Sequence, residues 1–305
     1  MLKALLLNHH LSYMQAGIYA TLAYFLFALS DGFAKLLMAD GWERSMVLVI
    51  TSLPSLIALS LFMIKRHGCK KALKTNYKTL HIIRSSALIG VTYFVFKALQ
   101  NLQLADFYGV VFSTPLVVTL AAFIFFKERI TLTEIIIILI GFSGTLVVVQ
   151  PDFNDFNIGY LYGFGSVICI TVAALSVRKI GREEDPYLFV IYANLGITLA
   201  NIGPALYYGL PSEVTLINIG VLAIYCFTIP AAILVLSAVF SRAPSLAAVA
   251  PFQYSQIIWG TLFGYFVFHD IPSFTTIIGS TIVISCGLYI LFYHQRQNKK
   301  TKLPV

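Results

Sequence analysis

Charged residues are scarce in this chain of 305 residues. They make up 11% of the sequence, against roughly a quarter in soluble domains, whereas hydrophobic residues reach 58% and the mean hydropathy is +0.84. A composition this apolar excludes an ordinary soluble globular protein. Acidic residues are fewer than basic ones, at 13 against 21. The net charge of +8 does not predict a nucleic-acid partner, because the basic residues lie in short connections between apolar runs.

Cysteine and catalytic motifs are scarce as well. Of the four cysteines, three lie inside apolar segments and Cys69 lies in a basic loop, and none shows metal-ligand spacing. We therefore expect no disulfide framework, no metal site and no cofactor. The sequence contains no HExxH, GxSxG or GxxxxGKS/T motif. It predicts that the chain is not an enzyme, and an integral-membrane enzyme without a recognised motif is the alternative from another class.

Long apolar runs dominate the chain, and two stretches repeat one pattern. Residues 244–293 contain two apolar segments of about 20 residues each, the length with which a helix crosses a ~30 Å hydrocarbon core. Residues 105–149 repeat this arrangement approximately, which indicates an internally duplicated membrane protein. The corresponding positions are Pro115 and Pro251, Lys127-Glu128 and His269-Asp270, and Gly141 and Gly144 with Gly279 and Gly287.

The apolar runs predict an all-α integral membrane protein with ten transmembrane helices. Basic and acidic connections alternate along the chain, so the positive-inside rule places every basic connection and both termini in the cytoplasm. Five helices per half predict two inverted repeats, residues 16–150 and 158–293, with cytoplasmic tails at 1–15 and 294–305. The predicted helices span 16–38, 45–64, 79–101, 106–126, 132–149, 158–177, 186–208, 214–240, 244–268 and 272–293.

Several segments of both halves resemble a known family. In the first half they are RSSALIG, FKALQNLQLAD and STPLVVTLAAFIFFKER, and in the second half PFQY, IIWGTLFGYFVFHDIP and IIGSTIVISCGLYI. They resemble the EamA-like branch of the drug/metabolite transporter superfamily, and within it the S-adenosylmethionine uptake carriers and metabolite exporters. The sequence departs from the family at Asp270, where glutamate is usual, and in the predicted second helix, whose first turns lack a frequent arginine.

The resemblance implies a secondary transporter with a central cavity lined by the first, third, fourth, sixth, eighth and ninth helices. Because a deep Asp31 suits a cation and aromatic rings suit a sulfonium or a ring, we predict that the solute is a small polar organic metabolite, S-adenosylmethionine-like or amino-acid-like. We expect it to cross the bacterial inner membrane by alternating access, as one half rocks against the other. The partners are then a small-molecule solute and the lipid bilayer. Export of amino acids or of hydrophobic, toxic compounds, coupling to protons or other ions, and a homodimer stay open as alternatives.

Two helices carry polar faces that predict part of a substrate site. Asp31 and Lys35 lie four residues apart on the first helix, at a depth where an ionisable side chain pairs or faces a cavity. On the third helix Tyr93 and Lys97 share a face, and two lysines beside an aspartate suit a zwitterion. We predict that these four residues bind substrate, with lysines that extend to the membrane interface as the alternative.

The ninth helix carries a further polar face. Buried amides in hydrocarbon bond either to another helix or to substrate, and aromatic rings suit a sulfonium or a ring system. The predicted substrate-binding residues here are Gln253, Tyr254, Gln256 and Trp259. Pro115 and Pro251 each remove one helical hydrogen bond and are predicted hinges, with a tolerated kink as the alternative.

Overall fold

The computed structural model describes residues 10–101, 104–149, 157–211, 213–268 and 274–301, and all its regular elements there are helical. A single turn at Cys69–Ala72 and two 3₁₀ segments at Gly181–Glu183 and Ala250–Tyr254 accompany the main helices. These are α1 Tyr13–Ala39, α2 Arg44–His67, α3 Lys78–Leu99, α4 Leu104–Val111, α5 Thr114–Phe126, α6 Leu132–Val149, α7 Ile158–Ile180, α8 Pro186–Tyr208, α9 Leu216–Arg242, α10 Ser255–Phe268 and α11 Phe274–Thr301.

The chain is a multi-pass membrane protein by the length and composition of its helices. Each of the ten predicted helices is found near its expected position, in one or two pieces. Two shorter apolar helices, Leu132–Val147 and Phe274–Tyr289, accompany six segments that are long and apolar enough to cross a membrane. Those six are Tyr13–Ala39, Arg44–His67, Gly109–Phe126, Ile158–Ile180, Pro186–Tyr208 and Leu216–Arg242.

Three differences from the sequence prediction change its interpretation, whereas the other helix ends shift by a few residues. The second helix begins at Arg44, so its first turn does contain an arginine and the predicted departure from the family was wrong. The last helix continues to Thr301, so the predicted tail from residue 294 is helical as far as the structure describes it. The third difference is that two helices expected to be continuous are broken.

Both breaks coincide with a proline. Pro115 lies in the first turn of α5, after an interruption that follows Val111, and its missing N–H therefore costs no helical hydrogen bond. Pro251 lies in the 3₁₀ segment that precedes α10. The predicted kinked helices over 106–126 and 244–268 are therefore each two shorter elements. Whether the chain bends there during function stays a prediction.

Contacts between connections show that alternate connections meet at the same end of the bundle. At the end that we call the basic end, the backbone N–H of Leu11 donates to the carbonyl of Arg242 at 3.2 Å. At the opposite end, Asn157 Nδ2 donates to the carbonyl of Asn101 at 2.6 Å. The basic end carries residues 65–78, 127–131, 178–185 and 242–250.

The two halves of the chain interlock. The most extensive packing partner of α1 is α9, that of α2 is α8, that of α3 is α7, and that of α6 is α11. Helices α1 and α10 pack together, as do α7 and α5. Polar contacts reinforce the α2–α8 pair, where Ser52 Oγ lies 2.7 Å from Thr198 Oγ1 and Asn194 Nδ2 donates to Ser55 Oγ at 2.9 Å. Most of the packing therefore joins residues from different halves.

Helices α6 and α11 cross at a glycine. A Cβ added to Gly144 would lie 2.9 Å from Ile282 Cγ2 and 3.2 Å from the carbonyl oxygen of Gly279. Small residues allow this close approach of two backbones, which strengthens van der Waals packing where the surrounding lipid offers no hydrophobic driving force. The crossing therefore depends on the absence of a side chain at position 144.

Candidate functional site

A cavity of about 1220 Å³ lies in the centre of the bundle. Every helix that the family resemblance implied contributes to its lining, namely α1, α3, the α4–α5 pair, α7, α9 and α10, and α2 adds Arg44. Most of the lining residues are apolar, with a few charged and amide side chains among them. A largely apolar cleft with a small number of polar groups is the usual form of a small-molecule site.

Asp31 is the acidic residue of the cavity. Its side chain is exposed to the cavity, and Oδ2 accepts a hydrogen bond from Gln256 Nε2 at 2.7 Å. Lys35, one turn further along α1, lines the same space, and Arg44 is close enough for its charge to attract that of Asp31. Gln256 belongs to α10, so the contact joins the first half of the chain to the second. The group can bind a cationic or hydrogen-bonding part of a ligand.

Arg84 is the charged residue of the cavity lining that lies nearest the basic end. It lies about two turns into α3 from the basic end, and its side chain is only 4% exposed. Nη1 donates to the carbonyl of Phe189 at 2.7 Å, and Nη2 donates to Ser237 Oγ at 3.2 Å. The guanidinium carbon lies 5.5 Å from the centre of the Phe189 ring, a distance that allows a cation–π contact. These contacts hold Arg84 against α8 and α9.

The structure brings half of the predicted binding residues to the cavity. Asp31, Lys35, Gln253 and Gln256 line it. Tyr93, Lys97, Tyr254 and Trp259 do not, and the substrate-binding role predicted for them has no geometric support. Residues that the prediction did not include also line the cavity, namely Tyr24, Arg44, Arg84, Gln100 and Tyr225.

Three of the four residues outside the cavity, all of them aromatic, have other neighbours. The side chain of Tyr93 is 53% exposed and packs on Phe94, which places it on the outer surface of the bundle. Tyr254 is 1% exposed and donates to the carbonyl of Ile138 at 3.3 Å. Trp259 packs edge-on against Phe25 with ring centres 5.1 Å apart. The signal that could have identified Arg84 is a charge inside an apolar run, which is typical of a residue that pairs or faces a cavity.

An ion-pair network joins helix ends at the basic end. Arg178 of α7 donates from Nε to Glu128 Oε1 at 2.8 Å, and its Nη2 lies 2.6 Å from the same oxygen. Its Nη1 donates to the carbonyl of Ala243 at 2.6 Å, and its Nη2 to that of Pro244 at 3.1 Å. Glu128 Oε2 accepts from the backbone N–H of Leu246 at 2.9 Å. One ion pair thus holds the ends of α5, α7 and α9 together.

A second network at the basic end joins the connections at 65–78 and 181–185. Glu184 accepts from Thr75 Oγ1, and its Oε2 lies 3.4 Å from His81 Nε2. Glu183 accepts from the hydroxyl of Tyr77, and this hydrogen bond raises the pKa of Tyr77 above its usual value of 10. Both networks connect the first half of the chain to the second, so they hold the two halves together at this end.

Among the residues that the structure describes, no group of three or more His, Cys, Asp or Glu residues could hold a metal ion. Asp270 and its neighbours lie outside the described residues. The expectation that the protein needs no cofactor stays a prediction.

Comparisons with known proteins agree with this architecture. Residues 14–150 match the EamA-like transporter family. A solved crystal structure of a protein that is 17% identical covers 93% of this chain and 98% of its own at a TM-score of 0.74, which shows a shared fold.

Curated relatives are named as metabolite carriers. An S-adenosylmethionine uptake transporter of Rickettsia bellii is 25% identical over 76% of this chain and 78% of its own length. A riboflavin transporter of Vibrio cholerae is 24% identical over 97% of both chains. A pseudopaline exporter of Pseudomonas aeruginosa is 24% identical over 90% of this chain and 96% of its own. Residues 14–150 thus match the EamA-like transporter family, and over three quarters or more of its length the chain is similar to proteins named as metabolite transporters.

Proposed function

We propose that this protein is a secondary transporter that carries a small polar organic metabolite across the bacterial inner membrane by alternating access. The observation that carries the proposal is the central cavity, in which Asp31, Lys35, Arg44 and Arg84 lie among apolar side chains inside a membrane bundle. Ionisable residues are costly in this environment and are kept where they meet a solute or an ion path. A role in transport rather than catalysis also fits the names of the relatives.

Two inverted repeats, residues 16–150 and 158–293, underlie this proposal. If each helix of the first half is exchanged for its counterpart in the second, the packing pairs map onto one another. The α1–α9 pair becomes α7–α3, the α1–α10 pair becomes α7–α5, and the α2–α8 and α6–α11 pairs map onto themselves. Such an exchange is expected for halves related by a two-fold axis in the membrane plane, and it supports the repeat.

The orientation proposed for the bundle places the basic end and both termini in the cytoplasm. The connection at 65–78 carries six lysines and arginines and no acid, and the other basic connections lie at the same end. The positive-inside rule therefore supports this topology. In this orientation the two networks at the basic end close the cytoplasmic side, and inward opening requires them to break.

The moving units of this cycle combine helices from both halves. The sequence predicts that one half rocks against the other, but the main neighbour of α1, α2, α3 and α6 belongs in each case to the other half. Packed helix pairs move most readily as units, because tightly packed interiors resist continuous deformation. We therefore favour units such as the α1–α9 and α3–α7 pairs.

The proposed solute is S-adenosylmethionine-like or amino-acid-like. The Asp31 carboxylate suits an ammonium or sulfonium group, and Gln256 holds it in place by a hydrogen bond. A cavity of about 1220 Å³ exceeds the usual range for a drug-sized ligand, so it has room for such a solute with water. The names of two relatives, the S-adenosylmethionine uptake transporter and the pseudopaline exporter, support a polar metabolite without deciding direction.

Uptake into proteoliposomes tests the proposal. We expect saturable accumulation of labelled S-adenosylmethionine or of a member of an amino-acid panel, and a loss of at least about tenfold in Asp31→Asn, because charged hydrogen bonds are worth ~1.5–3 kcal/mol. Asp40→Asn is the matched control, since Asp40 lies just after the same helix and outside the cavity lining. Equal uptake by Asp31→Asn and wild type would contradict the role of Asp31.

Transport measurements in the same proteoliposomes distinguish this function from the alternatives. Export of hydrophobic compounds is the second candidate, supported by the largely apolar lining, and it predicts efflux from preloaded vesicles but no uptake of polar solutes. Product formation without accumulation would indicate an enzyme. Uptake that collapses with the proton gradient would demonstrate proton coupling, and a mass measurement in detergent would decide the homodimer.

A further inference from the structure

The hydrogen-bond partners of Arg84 are neutral groups, although an acidic side chain is the usual partner of a buried arginine. Arg84 takes part in none of the ion pairs found among the described residues, and its Nε is buried without a hydrogen-bond partner there. Described acids near the helix ends are engaged by other groups. Glu128 binds Arg178, Glu183 and Glu184 bind the 65–78 connection, and Asp31 binds Gln256.

A permanent positive charge therefore lines the cavity near the basic end. A guanidinium is not deprotonated in proteins, so Arg84 cannot lower the cost of burial by losing its proton. A carbonyl and a hydroxyl satisfy two of its donors but do not neutralise its charge. Removing such a charge from water costs several kcal/mol unless an opposite charge compensates it. No acid among the described residues pairs with Arg84, so an anionic group that enters the cavity can compensate its charge.

The described charged residues of the cavity lining also favour an anionic group as the partner of Arg84. Among the described lining residues, three are basic, namely Lys35, Arg44 and Arg84, and one, Asp31, is acidic. Glu43 and Asp31 lie close enough to attract the charge of Arg44, whereas no described acid pairs with Arg84, so an anionic group of a solute is its complement. Asp31 lies on α1 and contacts α10, whereas Arg84 contacts α8 and α9, so different helices hold the two groups.

We propose that the guanidinium of Arg84 binds a carboxylate of the transported solute and makes the cavity selective for carboxylate-bearing metabolites. The planar fork of an arginine fits a carboxylate better than a lysine does, and a charged pair of this kind forms short, strong hydrogen bonds. The inference rests on the proposed transport function and names the chemical group that the site selects.

Matched pairs of small molecules test the inference by binding alone. The full-length protein, purified in detergent, is titrated with S-adenosylmethionine and its decarboxylated form, with methionine and methionine amide, and with riboflavin, which has no carboxylate. Thermal unfolding reports binding. For at least one pair we expect the carboxylate form to bind about tenfold or more tightly than its partner, as for a charged hydrogen bond.

Variants of Arg84 then test whether this residue causes the preference for the carboxylate form. Arg84→Gln should remove the preference, and Arg84→Lys should keep part of it, since lysine retains the charge without the fork. Lys78→Gln is the matched control, because Lys78 is an exposed base on the same helix and outside the cavity lining. The comparison of pairs in the wild type does not require the Arg84→Gln protein to fold.

The outcomes separate this inference from the proposed function. Equal binding within every pair, a preference for riboflavin alone, or a preference that persists in folded Arg84→Gln would overturn the role of Arg84. Carboxylate binding that depends on Arg84 but brings no accumulation in vesicles would support the inference and contradict transport. Accumulation without any carboxylate preference would support transport alone.

Discussion

Replacing Arg178 by alanine should lower the free energy of unfolding by about 3 kcal/mol, because Glu128 would remain mostly buried without its counter-charge. The substitution also removes the donors to the carbonyls of Ala243 and Pro244, which hold the end of α9 against α7. Thermal unfolding in detergent measures the loss. Lys179→Ala is the control, since Lys179 is the exposed neighbour on the same helix, and it should change stability little.

A double-mutant cycle shows whether the loss comes from the ion pair. In a Glu128→Gln background, Arg178→Ala should cost clearly less, because no charge is then left unpaired. The same cost in both backgrounds would mean that the carbonyl contacts of Arg178, rather than the ion pair, stabilise the basic end. Under the proposed orientation the single variants should also open the cytoplasmic side more often. A cysteine introduced at Val177, in a background without the native cysteines, should then react faster with a thiol reagent added from that side.

Replacing Gly144 by leucine should disrupt the crossing of α6 and α11. The new Cβ would lie 3.2 Å from the carbonyl oxygen of Gly279, which is backbone and cannot rotate away. Overpacking of this kind costs about 1–3 kcal/mol, and a leucine adds atoms beyond the Cβ. We expect a lower unfolding temperature and a lower yield of folded protein in detergent.

Gly220→Leu is the control for this substitution. An added Cβ at Gly220 of α9 meets nothing within 4 Å, so leucine should leave stability unchanged or raise it through helix propensity, by up to about 1 kcal/mol. In the variant Gly144→Leu, a second change of Ile282 to alanine should restore only part of the stability, since it relieves the side-chain contact but not the backbone one. Full recovery would contradict the backbone explanation.

Helix positions were predictable wherever a local chemical signal marks the boundary. Helix α8 was predicted at its observed bounds, because Asp185 caps its first turn and Pro186 favours the position that follows. Helix α6 was likewise marked by Thr131, whose hydroxyl accepts from the backbone N–H of Glu134 at 3.2 Å while the Glu134 carboxylate accepts in return. The breaks near Pro115 and Pro251 were marked by the prolines, but their form depends on tertiary packing.

The rotation of each helix was not predictable in the same way. In a soluble bundle the apolar face points inward, but in a membrane bundle the lipid-facing side is apolar too, so periodicity does not show which side meets the cavity. Tyr93 and Lys97 were therefore placed in the site, although Tyr93 lies on the outer surface. Arg84 is on the same helix and lines the cavity, yet nothing in its local sequence distinguishes it from an interfacial anchor.

The interlocked halves have a consequence for biosynthesis. At ~5–20 residues per second, the first half waits in the membrane for roughly 10–30 s before the second is complete. During that time Arg84 has neither Phe189 nor Ser237, Asp31 lacks Gln256, and Glu128 lacks Leu246. The early helices must therefore remain loosely associated without these partners, and the native bundle forms only after the later helices emerge from the insertion machinery.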